Sequence, residues 1–373
     1  MSDLSPFRIT LFDRSLRRRG WIGAPERVEC IIRHNAVGQC AVTVSADHPR
    51  IPDVVASGAR ATIDYLGQQV MSGRVGRCEG TGPLASSTIT FHVEDDFRLL
   101  YRLLGWPNPA GSLAQQGDDG AYDTVTGPAE TVVKTLVSRN AARSRPAVTV
   151  AGDAGRGAQI TSSVRMHPLA DRLLPAVDLA GIGVDVRQTG TGLVVDCYQP
   201  TVRRMVLSEE SGVVVGWSWS TVAPTATRVV VGGQGEGVAR AFVTDVDTDR
   251  ETEWGETVEV FRDARDTDDV AVLAARAQEA LAEGSPTTGL SLSLTESRGF
   301  AYGRTVHVGD RVTTRIAPGA DITDVLREAR IVWDTDSGVT VTPVVGERQD
   351  DPSALLRATI NALTKGIRDL RAR

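Results

Sequence analysis

The sequence predicts a mainly β protein with two small β-barrel domains, an α+β domain inserted between them, and a C-terminal helix. Three observations lead to this prediction. Short segments with alternating apolar and polar residues fill the first hundred positions and return from Val213 onward. Segments with helical spacing lie between them, and the last segment has an apolar residue at every third or fourth position.

The chain has 373 residues, which exceeds the usual size of a single hydrophobic core. Several folding units are therefore expected. The patterns place the first β-barrel domain at 1–109, the α+β insert at 110–225, the second β-barrel domain at 226–350 and the helix at 351–373.

The first barrel is predicted from alternating segments at 28–32, 59–65 and 89–93. Turn-forming residues separate them at 35–38 and 80–83. Several short strands divided by such turns are typical of a small antiparallel barrel or sandwich.

The insert begins with 110–127, which is rich in Gly, Asp, Ser and Gln and predicts a loop. Pro128 then opens a predicted helix with an apolar stripe, and a second helix is expected near 168–180. A hairpin is predicted from 183–187 and 193–198, which flank a Thr-Gly-Thr-Gly turn.

The second barrel is predicted from alternation at 213–219 and from strands at 290–294 and 339–345. It contains one expected helix at 267–284, with Thr267 as its N-cap.

The last segment predicts an amphipathic helix that begins at Pro352. Its apolar residues follow at intervals of 4, 3, 4 and 3: Leu356, Ile360, Leu363, Ile367 and Leu370. This is the spacing of a coiled coil, but two heptads are marginal as an isolated helix. The five residues are therefore predicted to contact other copies in an oligomer, while docking onto the chain's own domains stays open.

Composition excludes several classes of protein. The net charge of −6 disfavours wide electrostatic attraction to nucleic acid. No apolar run approaches the roughly 20 residues of a membrane span, and the N-terminus does not resemble a signal peptide. We therefore expect assembly in the cytoplasm. The cysteines show no CxxC spacing and are expected to be reduced and buried: Cys30, Cys40, Cys78 and Cys197.

A search for reactive motifs predicts no catalytic residue, no metal ligand and no cofactor. The five histidines are scattered without an HExxH pair, and no GxSxG motif occurs. The glycine-rich segment 232–237 lacks the Gly-Lys-Ser/Thr ending of a phosphate-binding loop, and a strand is expected at 238–246.

Two groups of acidic residues could suggest a metal or catalytic site, but their sequence context favours a structural role. Asp245, Asp247 and Asp249 imitate a calcium loop, yet Arg250 stands where the sharp turn needs glycine, and strands are expected on both sides. The pair Asp95-Asp96 is adjacent in sequence, so one of the two is expected to cap a short helix at about 95–104.

Segments at both ends resemble the minor tail proteins of siphophages that infect actinobacteria, a family related in fold to contractile-tail baseplate hubs. In the N-terminal part the resemblance rests on 7–13 and on Glu-Asp-Asp-Phe-Arg-Leu-Leu at 94–100 with trailing prolines. In the C-terminal part it rests on Trp-Gly-Glu at 254–256, Val-Gly-Asp-Arg-Val at 308–312 and Pro-Val-Val-Gly at 343–346. The middle insert does not take part in it.

The resemblance implies a structural tail-tip or baseplate-hub subunit that catalyses nothing. It implies a ring, expected to be a homotrimer, that joins the tail tube to distal proteins and surrounds the DNA exit channel. The implied partners are further copies of the chain, the distal tail protein, the tape-measure C-terminus and tail fibre or tip proteins. DNA would pass without specific binding, and the virion tail tip would be the location.

Two alternatives remain. A carbohydrate- or receptor-binding tail module would expect exposed aromatic residues, and a cell-wall hydrolase would expect His, Asp and Glu in a deep cleft. The tryptophans lie mostly in apolar strand patterns, so burial is expected for them: Trp21, Trp106, Trp217, Trp219, Trp254 and Trp333.

Overall fold

The computed structural model describes residues 5–83, 87–117, 120–294, 300–317 and 320–346. These residues form a mainly β protein, as predicted. The helix predicted at the C-terminus, with all five residues of its apolar seam, lies outside the described residues.

Twenty-three strands are present in the described part of the chain. The first seven are β1 (Phe7–Phe12), β2 (Arg18–Ile22), β3 (Arg27–Arg33), β4 (Gln39–Ser45), β5 (Arg60–Tyr65), β6 (Gln68–Thr81) and β7 (Thr88–Asp95). The next seven are β8 (Leu104–Gly105), β9 (Asp123–Pro128), β10 (Val148–Val150), β11 (Gln159–Val164), β12 (His167–Pro168), β13 (Gly183–Thr189) and β14 (Gly192–Tyr198). The last nine are β15 (Val202–Leu207), β16 (Val214–Val222), β17 (Arg228–Gly232), β18 (Phe242–Val246), β19 (Glu259–Asp263), β20 (Thr287–Leu294), β21 (Arg311–Ala317), β22 (Ala320–Asp334) and β23 (Gly338–Gly346).

The helices are fewer and mostly short. They are α1 (Ile51–Val54), α2 (Leu99–Arg102), α3 (Ala129–Ala141), α4 (Leu169–Leu179), α5 (Thr248–Trp254) and α6 (Val270–Glu283). Single 3₁₀ turns occur at Asp96–Arg98, Leu113–Gln115 and Gly237–Ala239.

One sheet of thirteen strands unites the two ends of the chain. Its main path runs in the order β16-β20-β23-β22-β3-β4-β7-β6-β5-β1-β2, and β21 with β15 branches from β22. The long strand β22 makes the connection, because it pairs antiparallel with β3, β21 and β23. No barrel closes among the described strands, so the prediction of two barrels is not confirmed.

This main sheet has one hydrophobic core, to which both ends of the chain contribute. Ile9 and Val42 from the N-terminal strands pack in the same cluster as Leu290 and Ile331 from the C-terminal ones. Alternation explains the burial, since every second residue of a strand points to the same face. Complete burial of such a side chain contributes about 1.5–3 kcal/mol.

The middle of the chain has a second core, formed by α3 and α4 with β13 and β14. The apolar stripe predicted after Pro128 is buried there, with Val132 and Leu136 fully covered. Leu173 from α4 and Val195 from β14 complete it. Both predicted helices and the predicted hairpin of the insert are confirmed.

A third, smaller core lies where α6 covers the sheet β18-β17-β19. Val231 and Leu273 are fully buried at its centre. The prediction that Thr267 is the N-cap of α6 is wrong. Asp269 caps this helix and accepts a hydrogen bond from the Ala271 N–H at 2.8 Å. Thr267 instead accepts from the Asp269 N–H, one turn before the helix.

The three cores do not follow the predicted segments residue by residue. The third core belongs to 226–284, and the strands after it join the main sheet. The boundaries at 109, 225 and 350 stay predictions.

Candidate functional site

A buried polar network joins the main sheet to the insert. Arg60 of β5 donates from Nη2 to both carboxylate oxygens of Asp96, at 2.7 and 2.5 Å. The Ser72 hydroxyl of β6 donates to the same carboxylate at 2.7 Å. Gln188 of β13 accepts from Arg60 Nε at 3.2 Å, and its own N–H donates to Ser72 Oγ at 2.8 Å. The network therefore fixes the insert hairpin against the sheet.

Asp95, the neighbour of Asp96, has a different role. Its carboxylate accepts from the N–H groups of Gly38 and Phe97, each at 3.1 Å. Burial raises the pKa of Asp95 to about 7, although both hydrogen bonds oppose the shift. The expectation that one of the pair caps the following turn is confirmed for Asp95. Asp96 instead pairs with Arg60.

A second contact region lies between the loop after β3 and the insert. Asn35 donates to the Asp178 carboxylate at 2.5 Å and accepts from the Val184 N–H at 2.8 Å. Arg327 of β22 donates to the other oxygen of Asp178 at 2.9 Å. His34 Nδ1 and the Tyr198 hydroxyl lie 2.7 Å apart. Burial lowers the pKa of His34 to about 4, so its ring is neutral at pH 7.

These networks cannot be predicted from the sequence, because their members come from distant segments. Arg60 and Gln188 are 128 positions apart, and Asn35 and Asp178 are 143 apart. Arg60 itself gives no local signal, because in the alternation 59–65 it occupies the face that the pattern predicts to be exposed. The structure buries both faces of β5, so this charge requires a buried partner.

A cleft of about 360 Å³ opens between the two contact regions. It brings together the residue types that a hydrolase would need: Asp95, Asp185, His307 and Asp310. The carboxylates already have partners, however. Asp310 accepts from Arg203 Nε and from the His307 N–H, both at 2.8 Å, and Asp185 pairs with Arg187 at 2.5 Å. These contacts hold the cleft walls together.

No group of three or more His, Cys, Asp or Glu side chains in the described residues is placed to hold a metal ion. In the segment that imitates a calcium loop, Asp247 caps α5 by accepting from the Arg250 N–H at 2.8 Å. The strand expected after it is therefore a helix. Arg250 is buried and donates to the carbonyls of Ala226 and Leu281. The strand predicted at 238–246 is shorter, because a 3₁₀ turn precedes β18.

Burial was the wrong prediction for most tryptophans. Four of them are exposed: Trp21, Trp217, Trp219 and Trp254. Trp333 is buried, and Trp106 is partly covered by Arg143.

Among the cysteines, three are buried as expected and Cys78 is exposed. Alternation identifies one face of a strand but not whether another element covers that face.

Trp217, Ser218 and Trp219 form a surface that we call the β16 edge. The two tryptophans pair across the sheet with Leu292 and Leu290, which are fully buried. The tryptophans remain 42% and 45% exposed, because β16 is the end of the main path and pairs with β20 alone among the described strands. The strand has no charged residue, whereas β2 at the opposite end carries Arg18 and Arg19. The strand itself therefore lacks the charges that usually protect an open edge, and the nearest charge is the Glu209 carboxylate, which accepts a hydrogen bond from Trp217 Nε1 at 3.0 Å.

In the described part of the chain, no helix is long and apolar enough to cross a membrane. The predicted oligomer contacts at Leu356, Ile360, Leu363, Ile367 and Leu370 lie beyond the described residues and stay a prediction.

The chain is similar in fold to three solved phage tail proteins. A tail protein from Neisseria meningitidis MC58 has a TM-score of 0.55 at 14% identity, over 91% of this chain and 96% of that one. The 43 kDa tail protein of prophage MuSo2 from Shewanella oneidensis has a TM-score of 0.55 at 14% identity, over 91% and 98%. Prophage tail protein gp18 from Listeria monocytogenes EGD-e has a TM-score of 0.54 at 11% identity, over 96% and 99%. The main sheet and its insert thus have the fold of phage tail proteins.

The family described as Siphovirus ReqiPepy6 Gp37-like protein matches residues 8–347. The chain belongs to this family of siphophage tail proteins, and the resemblance predicted from the sequence is confirmed. Membership places the chain among the structural proteins of the virion tail. No curated protein matches the chain.

Proposed function

We propose that the chain is the subunit of a tail-tip or baseplate hub, a ring that joins the tail tube to distal tail or fibre proteins. The ring is expected to be a homotrimer that surrounds the DNA exit channel. Its neighbours would be the distal tail protein, the tape-measure C-terminus and the fibre or tip proteins. Assembly would take place in the host cytoplasm.

The β16 edge is the observation that carries this proposal. An open strand edge with two exposed tryptophans and no charged residue of its own is suited to contact another protein, since tryptophan is enriched in interfaces. The two ends of the main path are different strands, β16 and β2. A contact from one end to a different surface of the next copy is head-to-tail, and such contacts form a ring when the rotation between neighbouring copies closes. We therefore assign the β16 edge to a second copy of the chain.

The predicted apolar seam would supply a second contact about the same axis. Its five residues have coiled-coil spacing, and neighbouring copies would let two short heptads associate. A net charge of −6 also suits a channel that must release DNA, because an acidic lining does not hold the phosphate backbone.

Light scattering on the purified chain, alone and mixed with the distal tail protein of the same phage, tests the ring. The expected result is a species with three times the mass of the chain, seen as a ring in negative-stain images. A monomer under both conditions would overturn the proposal.

Exposed tryptophans also favour a second candidate, a carbohydrate- or receptor-binding tail module. Trp217 and Trp219 lie on one face of β16, where aromatic rings can stack on sugars. Titration of the purified chain with host cell-wall polysaccharide, followed by tryptophan fluorescence, tests this candidate. Saturable quenching that Trp217→Ala removes would favour it, and a zymogram on host cell wall tests the hydrolase alternative.

A further inference from the structure

A second cleft, which shares Asp95 with the first, is rich in arginine. It has a volume of about 470 Å³ and lies between the β6–β7 pair, α2 and the loop that follows α3. Six arginines and three carboxylates line it. The arginines are Arg60, Arg74, Arg98, Arg102, Arg143 and Arg145, and the carboxylates are Glu94, Asp95 and Asp96.

The carboxylates of the cleft form ion pairs with only three of these six arginines. Asp96 pairs with Arg60, and Glu94 pairs with both Arg74, at 2.7 Å, and Arg98. Asp95 is occupied by two backbone N–H groups, as described above. Arg102, Arg143 and Arg145 have no carboxylate partner in the described part of the chain. A cleft with excess positive charge has thus formed on a protein whose net charge is −6.

Arg143 is held in place but is not fully satisfied. Its guanidinium lies over the Trp106 ring, 4.1 Å from the centroid. Nη2 donates to the Leu104 carbonyl and to Asn140 Oδ1, each at 2.7 Å. Nη1 is shielded from solvent and has no hydrogen-bond partner among the described residues. A buried charged donor without an acceptor is unfavourable, so a ligand that supplies an oxygen would stabilise this arrangement.

The arginines also act on one another. Burial, followed by the charges of Arg102 and Arg74, lowers the pKa of Arg98. Burial, followed by the charge of Arg74, lowers the pKa of Arg102. Like charges are therefore held close together in the lining of the cleft, and a bound anion would relieve their repulsion.

We propose that this cleft binds a phosphate group, either as free phosphate or as one unit of a phosphodiester polymer. Six arginines line the same cleft, and the planar fork of arginine matches the oxygens of phosphate. Phosphate also offers enough oxygens to serve three unpaired arginines at once. The cleft is partly open, and its volume of about 470 Å³ has room for a phosphate group together with an adjoining unit of a polymer. Its arginines do not form the extended basic surface that the backbone of a duplex would need.

Isothermal titration of the full chain with inorganic phosphate, at an ionic strength held constant with sodium chloride, tests the site. Arg102→Gln removes a charge that makes no hydrogen bond or ion pair in the described part of the chain, and Arg102→Gln/Arg143→Gln also removes the unsatisfied donor. The single variant is expected to weaken phosphate binding about tenfold, since hydrogen bonds between charged groups contribute that much or more. The double variant should abolish saturable binding. Arg204→Gln, at an exposed arginine of β15 outside the cleft, removes the same charge and should bind as the wild type does.

The source of the phosphate is distinguished by two further titrations, with glycerol 3-phosphate and with short poly(glycerol phosphate). Tighter binding of the polymer than of free phosphate, lost in the double variant, would identify a surface polymer as the source, whereas equal binding would identify the free anion. No saturable binding of any of these, or equal losses in Arg204→Gln, would overturn the proposal. Binding of duplex DNA in place of phosphate would also overturn it. Melting curves of each variant without phosphate verify that the fold is intact.

Discussion

The Arg60–Asp96 ion pair shows how single residues hold the insert on the main sheet. Both side chains are buried, and Ser72 and Gln188 complete their hydrogen bonds. Removal of one partner leaves a buried charge without compensation, which costs about 3–5 kcal/mol. We expect Asp96→Ala to lower the free energy of unfolding by this amount, measured by urea denaturation.

The control for that variant is an exposed pair of the same type. Arg315 and Asp321 lie 2.7 Å apart in solvent, where ion pairs contribute little. Asp321→Ala is expected to leave the unfolding curve almost unchanged. Equal effects of the two aspartate variants would contradict the assigned role of the buried pair.

Asp95 predicts a pH dependence of stability. Burial raises the pKa of its carboxyl from the usual 3.8 to about 7, so the folded state retains this proton over a pH range in which the unfolded chain has lost it. The contribution of Asp95 to stability is therefore greatest below the unfolded-state pKa of 3.8 and falls as the pH rises toward 7. We expect the wild type to lose stability relative to Asp95→Asn between pH 4 and pH 7. Urea denaturation at several pH values measures the difference, and parallel profiles would contradict the prediction.

At the scale of elements, the close approach of β6 and β7 depends on Gly73. A Cβ atom at this position would lie 1.9 Å from the Glu94 carbonyl oxygen, so the backbones would have to separate. Gly73 is also the register partner of Asp95. Forced overpacking of this kind costs about 1–3 kcal/mol, and we expect Gly73→Ala to lower the free energy of unfolding accordingly. Gly152→Ala, where a Cβ would meet open space, is the control; an equal loss there would contradict this explanation.

Helices and hairpins that depend on neighbouring residues could be predicted from the sequence. The pairing of distant strands into one sheet could not. The α3 helix, the α4 helix and the β13–β14 hairpin follow from local periodicity and turn residues. The pairing of β22 with β3 joins opposite ends of the chain, and alternation does not specify a strand's partner. For the same reason the sequence predicts a separate barrel from the strands after α6, although these strands complete the main sheet.

The polar networks were beyond prediction for a related reason. Each consists of residues from the sheet and from the insert, and their positions converge only when the two cores are packed together. The tail-protein family, by contrast, was recognisable from the order of weak strand and turn motifs along the chain.

At the scale of the whole molecule, the C-terminal seam gives one prediction about assembly. An aspartate at Ile360 and another at Ile367 would place charges in the apolar contact between copies. We expect Ile360→Asp/Ile367→Asp to shift the oligomer toward monomers in light scattering, while the urea unfolding of the sheet stays the same. Unchanged assembly would remove the coiled-coil contact from the proposed ring.

The β16 edge gives an independent prediction about the same ring. Trp217 and Trp219 extend the core face of the main sheet to its open end, so a second copy would bury apolar surface that the monomer leaves in water. Tryptophans in such contacts commonly contribute 2 kcal/mol or more, so Trp217→Glu/Trp219→Glu should raise the dissociation constant by at least about tenfold. Sedimentation over a range of concentrations measures the change. Trp254→Glu is the control, because it replaces a tryptophan of α5 that is 37% exposed and lies outside the β16 edge. This variant should assemble as the wild type does. If the double variant assembles as the wild type does, copies meet through another surface and the β16 edge is free for a different partner.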